Sequence, residues 1–152
     1  MNAVPVTILL IEDDPGHAKL IEKNVRRAGV ANEIRHLADG TSALAYLFDR
    51  GELPKGDPFL VLLDLNLPDM SGTEILGRIK ADAVLKRTPV IVLTTTDDKL
   101  EIERCYDLGC NVYITKPVEY EGFSTAIRQL GLFLTVMQMP EIPAPPIPGA
   151  AG

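Results

Sequence analysis

The sequence predicts an α/β fold, a doubly wound parallel sheet of five strands with helices on both faces. Three observations carry that expectation. Short apolar runs alternate with longer stretches of helical periodicity along the chain, the pattern of strands joined by crossover helices. Three of the runs, Ile8 to Ile11, Phe59 to Leu63 and Val90 to Leu93, are apolar without alternation, as strands buried on both faces must be. Acids stand directly behind two of them, Glu12, Asp13 and Asp14 after the first and Asp64 after the second. In a parallel sheet both strand ends open onto one rim, where such proteins put their chemistry.

The elements follow in order. The first strand is Thr7 to Ile11. The first helix runs from about Gly16 to Ala28, with Ala18, Ile21, Val25 and Ala28 on one stripe and Gly29 to stop it. The second strand, Glu33 to Leu37, carries Arg35 and His36 and suits an edge. The second helix spans about Gly40 to Phe48, and a Gly- and Pro-bearing loop from Asp49 to Pro58 leads to the third strand, Phe59 to Leu63. The third helix, about Gly72 to Ala83, buries Ile75, Leu76 and Ile79. The fourth strand, Val90 to Leu93, is announced by Pro89. The fourth helix, about Lys99 to Leu108, ends at Gly109. The fifth strand is Val112 to Ile114, and the fifth helix runs from Tyr120 to about Val136. The continuously apolar strands belong in the centre and the polar or short ones at the edges. That favours the order 2-1-3-4-5 and puts the topological switch point between the first and third strands, where Asp13 and Asp64 stand.

Composition narrows the function. The chain has 152 residues, 46% of them apolar and 24% charged, enough for one domain with a core. Residues 1–139 form that domain, and residues 140–152, with five prolines, form an extended tail rather than an output domain. A net charge of −6 argues against a nucleic-acid partner. No signal peptide is apparent, and no apolar run is long enough to span a bilayer, so the expected location is cytoplasmic. Cys105 and Cys110 make no CxxC pair and read as buried reduced thiols. His17 and His36 read as ordinary, since neither has a metal-ligand neighbour in the sequence.

The same rim offers further groups. The fourth strand ends at Thr94, and the fifth is followed by Lys116 and Pro117. A carboxylate that attacks a phosphoryl group needs these parts: a nucleophilic acid, donors for the phosphoryl oxygens, and a cation. Oxygen-only ligands point to Mg²⁺.

With those residues in order, the chain resembles the receiver domains of two-component response regulators over about residues 6–135. The motifs are the acidic pair Glu12 and Asp13, Asp64 in an Asp64-to-Pro68 DxxxP context, Thr94, and Lys116 with Pro117. The resemblance implies a flavodoxin-like fold and Asp64 as phosphoacceptor. It implies Mg²⁺ held by Asp13, Asp64 and the backbone carbonyl of Asn66, with Glu12 positioning it. Thr94 and Lys116 would bind phosphoryl oxygens, Tyr113 would act with Thr94 as a switch, and the Lys116–Pro117 bond would be cis. The implied donor is a sensor histidine kinase, and the output is a protein contact or onward phosphotransfer. The chain would be a signalling protein, catalysing only its own phosphorylation and dephosphorylation. The 49–58 loop, the Leu93 to Thr96 run and the segment from Phe133 to Pro140 further resemble single-domain regulators paired with bacteriophytochromes.

Two other uses of such a fold fit less well. A phosphatase of the haloacid dehalogenase type wants an acid two residues after its nucleophile, where this chain has Asn66. A flavin-binding electron carrier wants a hydroxyl- and glycine-rich phosphate loop after the first strand, where this chain has three acids. No GxxxxGK[ST] run is present.

The last helix carries one expectation of its own. Phe123, Ile127, Leu130 and Leu134 supply the stripe that covers the sheet. Leu132, Phe133, Val136, Met137 and Met139 point to other sides, and a patch of that size predicts a homodimer through this helix.

Overall fold

The computed structural model describes residues 6–49, 59–116 and 120–133, with side chains described up to residue 126. The expectations for the loop of residues 50–58, the Lys116–Pro117 bond, the apolar positions beyond residue 126 and the Pro-rich tail lie outside the described residues.

The elements are β1 (Thr7–Ile11), α1 (Pro15–Arg27), β2 (Ile34–Leu37), α2 (Gly40–Phe48), β3 (Phe59–Leu63), α3 (Gly72–Ala81), β4 (Val90–Thr94), α4 (Lys99–Leu108), β5 (Val112–Thr115) and α5 (Tyr120–Phe133). The five strands form one parallel sheet in the order β2-β1-β3-β4-β5. Every residue of β3 and β4 is buried, whereas β2 and β5 are half-buried or exposed along their length. Continuous apolarity in the sequence therefore marks the central strands, as two-sided burial requires.

Alternate side chains of the central strands feed two cores. Leu9, Ile11, Val61, Leu63 and Val92 pack with Leu47, Ile75, Leu76, Ile79 and Cys105 beneath α2, α3 and α4. Ile8, Leu10, Leu60, Leu62, Ile91 and Leu93 pack with Ala18, Ile21, Val25 and Phe123 beneath α1 and α5. The predicted stripes of the first and third helices are the faces buried here.

Element ends differ from the sequence expectation by a residue or two, each for a local reason. The first helix begins at Pro15, because Asp14 caps it by accepting the His17 N–H at 2.9 Å and proline fits the first helical position. The third stops at Ala81, not Ala83. Asp82 leaves helical geometry, accepts the N–H groups of Val84 and Leu85, and starts a 3-10 turn at Leu85–Arg87. The fourth helix ends at Gly109 as the sequence indicates, since its φ of 111° suits only glycine without strain.

Candidate phosphoacceptor site

The rim at the ends of β1, β3, β4 and β5 gathers the residues singled out from the sequence. Asp64 follows β3 directly, is 5% exposed, and takes its backbone bond from its own N–H to the Ile11 carbonyl at 2.9 Å. The carboxylates of Glu12, Asp13 and Asp64 each place an oxygen within 4.8 Å of the other two. Glu12 and Asp64 are buried and Asp13 is exposed, so the cluster has a closed floor and an open side.

Among the described residues, one lysine stands among these acids. Lys116 reaches in from the end of β5 and donates to Glu12 Oε1 and, at 3.3 Å, to Asp64 Oδ2. Its register is fixed by its backbone N–H, which donates to the Thr94 carbonyl at 2.7 Å. A single ammonium cannot balance three carboxylates. Burial pushes the Glu12 carboxyl up to about 7; Asp64 adds to that rise and Lys116 opposes it. Closely grouped, hard oxygen donors with surplus negative charge and an open side fit a divalent cation such as Mg²⁺.

Asn66 and Thr94 complete the rim. The Asn66 N–H donates to Asp64 Oδ1 at 3.0 Å, and its side-chain amide reaches Thr94 Oγ1 at 3.3 Å and Thr95 Oγ1 at 3.4 Å. Thr94 is fully buried at the end of β4. Tyr113 is half-buried, and its hydroxyl donates to the Thr96 carbonyl at 2.6 Å. Burial, followed by the nearby thiols and acids, pushes that phenol up to about 12.

The loop from Asp64 to Gly72 is tied down at both ends. The Gly72 N–H donates to the Leu65 carbonyl at 2.9 Å, and a Cβ on Gly72 would lie 2.4 Å from the Asp64 carbonyl oxygen. Only glycine lets α3 start this close to the Asp64 loop. Asp69 holds the other side, accepting the Gly40 and Thr41 N–H groups at 2.8 Å each and the Thr41 hydroxyl at 2.5 Å. Those contacts, the Thr41 hydroxyl foremost, bring its carboxyl down to about 2.

Both histidines are exposed, yet each makes a contact at the rim that the sequence does not signal. His36 Nε2 lies 2.6 Å from the Glu12 carbonyl oxygen, across the β1–β2 edge. His17 Nδ1 lies 3.2 Å from Lys116 Nζ and 3.8 Å from Glu12 Oε1. His17 sits four residues after Asp13, in the first turn of the helix leaving the acidic loop. Its turn toward Lys116 depends on the Asp14 cap, which spacing alone does not reveal. Asp14 itself caps the helix.

Comparison with known proteins bears on the same residues. The sequence matches the response regulator receiver domain family over residues 8–128. The chain belongs to that family. It is 40% identical over 113 residues to the response regulator Rcp1 of Synechocystis sp., covering 74% of this chain and 77% of that protein. A Mn²⁺-bound form of response regulator Rcp1 superposes with a TM-score of 0.70 at 34% identity, over 90% of this chain and 100% of that one. A receiver domain from Rhodospirillum rubrum is 65% identical with a TM-score of 0.74, over 90% of this chain and 98% of that one. The phosphorylated cyanobacterial phytochrome response regulator RcpA is 37% identical with a TM-score of 0.71, over 90% of this chain and 99% of that one. The protein is therefore a two-component receiver, with phytochrome-associated relatives. Receivers are phosphoacceptors that bind Mg²⁺ in an acidic pocket and partner histidine kinases. Among the described residues, no helix is long and apolar enough to cross a membrane.

Proposed function

We propose that the protein accepts a phosphoryl group on Asp64 from a sensor histidine kinase of the bacteriophytochrome type. It then signals through a conformational change on its own surface. The observation that carries this reading is the Asp64 carboxylate, buried in the floor of a three-acid cluster and bonded at 3.3 Å by Lys116. An Asp64 oxygen attacks the phosphorus of the kinase phosphohistidine. The new P–O bond forms as the P–N bond breaks, and the imidazole leaves with the electron pair and takes up a proton.

Asp13, Asp64 and the backbone carbonyl of Asn66 would hold Mg²⁺, with Glu12 positioning it. When bound, Mg²⁺ neutralises oxygens of the transferring group. Lys116 and the Thr94 hydroxyl bind the remaining phosphoryl oxygens. Phosphorylation adds about two negative charges at Asp64. Thr94 turns toward them, and Tyr113 gives up its bond to the Thr96 carbonyl and moves into the space left. The kinase class is supported by the likeness to RcpA, named as a phytochrome response regulator.

Acetyl phosphate with Mg²⁺ should place one acid-labile phosphoryl group on the protein, and Asp64→Asn should remove it, because an amide is no nucleophile. An Asn variant that labels like the wild type would refute the assignment. Thr94→Ala should still label, while its Tyr113 resonances shift less on phosphorylation than those of the wild type.

The receiver unit would span residues 1–139, with residues 140–152 a Pro-rich tail. Output would pass by protein contact or onward phosphotransfer. The apolar positions of the last helix support a homodimer through that helix. Light scattering at tens of micromolar should give twice the chain mass, and a monomer there would overturn the dimer.

A further inference from the structure

We propose that His17 is a positioning residue for phosphoryl transfer, holding the Lys116 ammonium over Asp64 by accepting its third N–H. The inference rests on the reading of Asp64 as phosphoacceptor and adds a residue to it. An ammonium has three N–H groups and no acceptor. The Lys116 side chain is 7% exposed, so water cannot satisfy all three, and buried donors need partners. Three acceptors surround Nζ: Glu12 Oε1, Asp64 Oδ2 at 3.3 Å and His17 Nδ1 at 3.2 Å. The first two are carboxylates. The third is an imidazole nitrogen on the solvent side, about half-exposed.

The partner fixes the tautomer. Lys116 Nζ can only donate, so His17 Nδ1 must be the lone-pair nitrogen and Nε2 must carry the proton. Asp14 fixes the position, since its carboxylate accepts the His17 N–H at 2.9 Å and sets the first turn of α1 against the rim.

A neutral acceptor suits this place better than either alternative. A carboxylate at residue 17 would draw the ammonium outward and compete with the phosphoryl oxygens for its charge. An apolar side chain would leave the third N–H to intermittent water and the four-carbon lysine stem without an outer anchor. The imidazole orients the cation and leaves its charge available to the transferring group, the condition for electrostatic stabilisation in place before reaction.

The test compares His17→Leu with His17→Asn. The Oδ1 of asparagine sits as many bonds from the backbone as histidine Nδ1, so it restores the acceptor. In metal-free wild-type protein at about pH 8, long-range ¹H–¹⁵N correlation should show His17 protonated on Nε2. Only two histidines are present, so the assignment is direct. With acetyl phosphate and saturating Mg²⁺, His17→Leu should label about five- to tenfold more slowly, the fold-change of one hydrogen bond. His17→Asn should recover most of that rate, and Mg²⁺ affinity should change little in either variant. Wild-type labelling rates in His17→Leu, equal slowing in both variants, or His17 protonated on Nδ1 would each overturn the proposal. An Asp64→Asn control that still labels would instead overturn the underlying assignment.

Discussion

At the scale of the residue, function here depends on atoms that approach closely. Asp64, Thr94 and Lys116 were legible in the sequence because each follows an apolar run, and a parallel sheet brings such ends together. The approach of His17 to Lys116 was not, because it depends on a helix cap that turns it toward a lysine 99 positions away. Gly72 and Gly77 make this scale testable. A Cβ at Gly72 would meet Asp64 and Leu65 backbone atoms at 2.4 and 2.7 Å, and backbone cannot step aside. At Gly77, in the same helix, the nearest atom would be Leu108 Cδ2 at an ordinary 3.8 Å. Gly72→Ala should destabilise by about 1–3 kcal/mol, as overpacking does. Gly77→Ala should stabilise by about 0.5–1 kcal/mol through helix propensity. Urea unfolding midpoints that move in the same direction for both would contradict the geometry. The cysteines follow the same logic. Burial pushes Cys105 up to about 11 and Cys110 up to about 12, and both are free and buried. A thiol reagent at neutral pH should leave both unmodified until the protein is unfolded.

At the scale of the element, the Asp64 loop is held by the helices on either side of it. Gly72 brings α3 under Asp64, and Asp69 caps α2 from outside that helix. Asp39 caps the helix locally, accepting the Ser42 N–H at 2.6 Å. The second cap comes from a residue 28 positions away, which no local spacing signals. Two carboxylates at one helix N-terminus complement its dipole and tie α2 to the loop carrying Asp64. The sign of the pH dependence follows. The Asp69 carboxyl is brought from 3.8 to about 2 in the folded protein. Its contribution to stability is therefore complete above the unfolded value and is lost as pH falls toward the folded one. Asp69→Asn should lower the urea midpoint at about pH 5, and the gap to wild type should narrow as pH falls toward about 2.5. A gap that stays constant over that range would mean that the charge on Asp69 plays no part in the cap.

At the scale of the whole molecule, the sheet couples two cores that share no side chain among the described residues. The strand order was legible because two-sided burial writes itself as unbroken apolarity in β1, β3 and β4. The pairing of each helix with a face was legible only in part, through the stripes of α1 and α3. Leu9 and Leu10 are neighbours on β1, both essentially inaccessible to solvent, yet Leu9 belongs to the core beneath α2, α3 and α4 and Leu10 to the core beneath α1 and α5. Either change to alanine removes a buried side chain and leaves a cavity, at a cost of about 2–5 kcal/mol. A domain of this size has about 5–15 kcal/mol in total. If the layers unfolded separately, Leu9→Ala would weaken one and leave the other at its wild-type midpoint. The shared backbone of β1, β3 and β4 argues against that, because neither layer can lose its sheet without exposing the other. Each variant should therefore show one transition at a lower denaturant concentration, coincident by far-ultraviolet circular dichroism and tyrosine fluorescence. The four tyrosines, with no tryptophan, supply the fluorescence. Two transitions in either variant would show that the two cores are independent folding units.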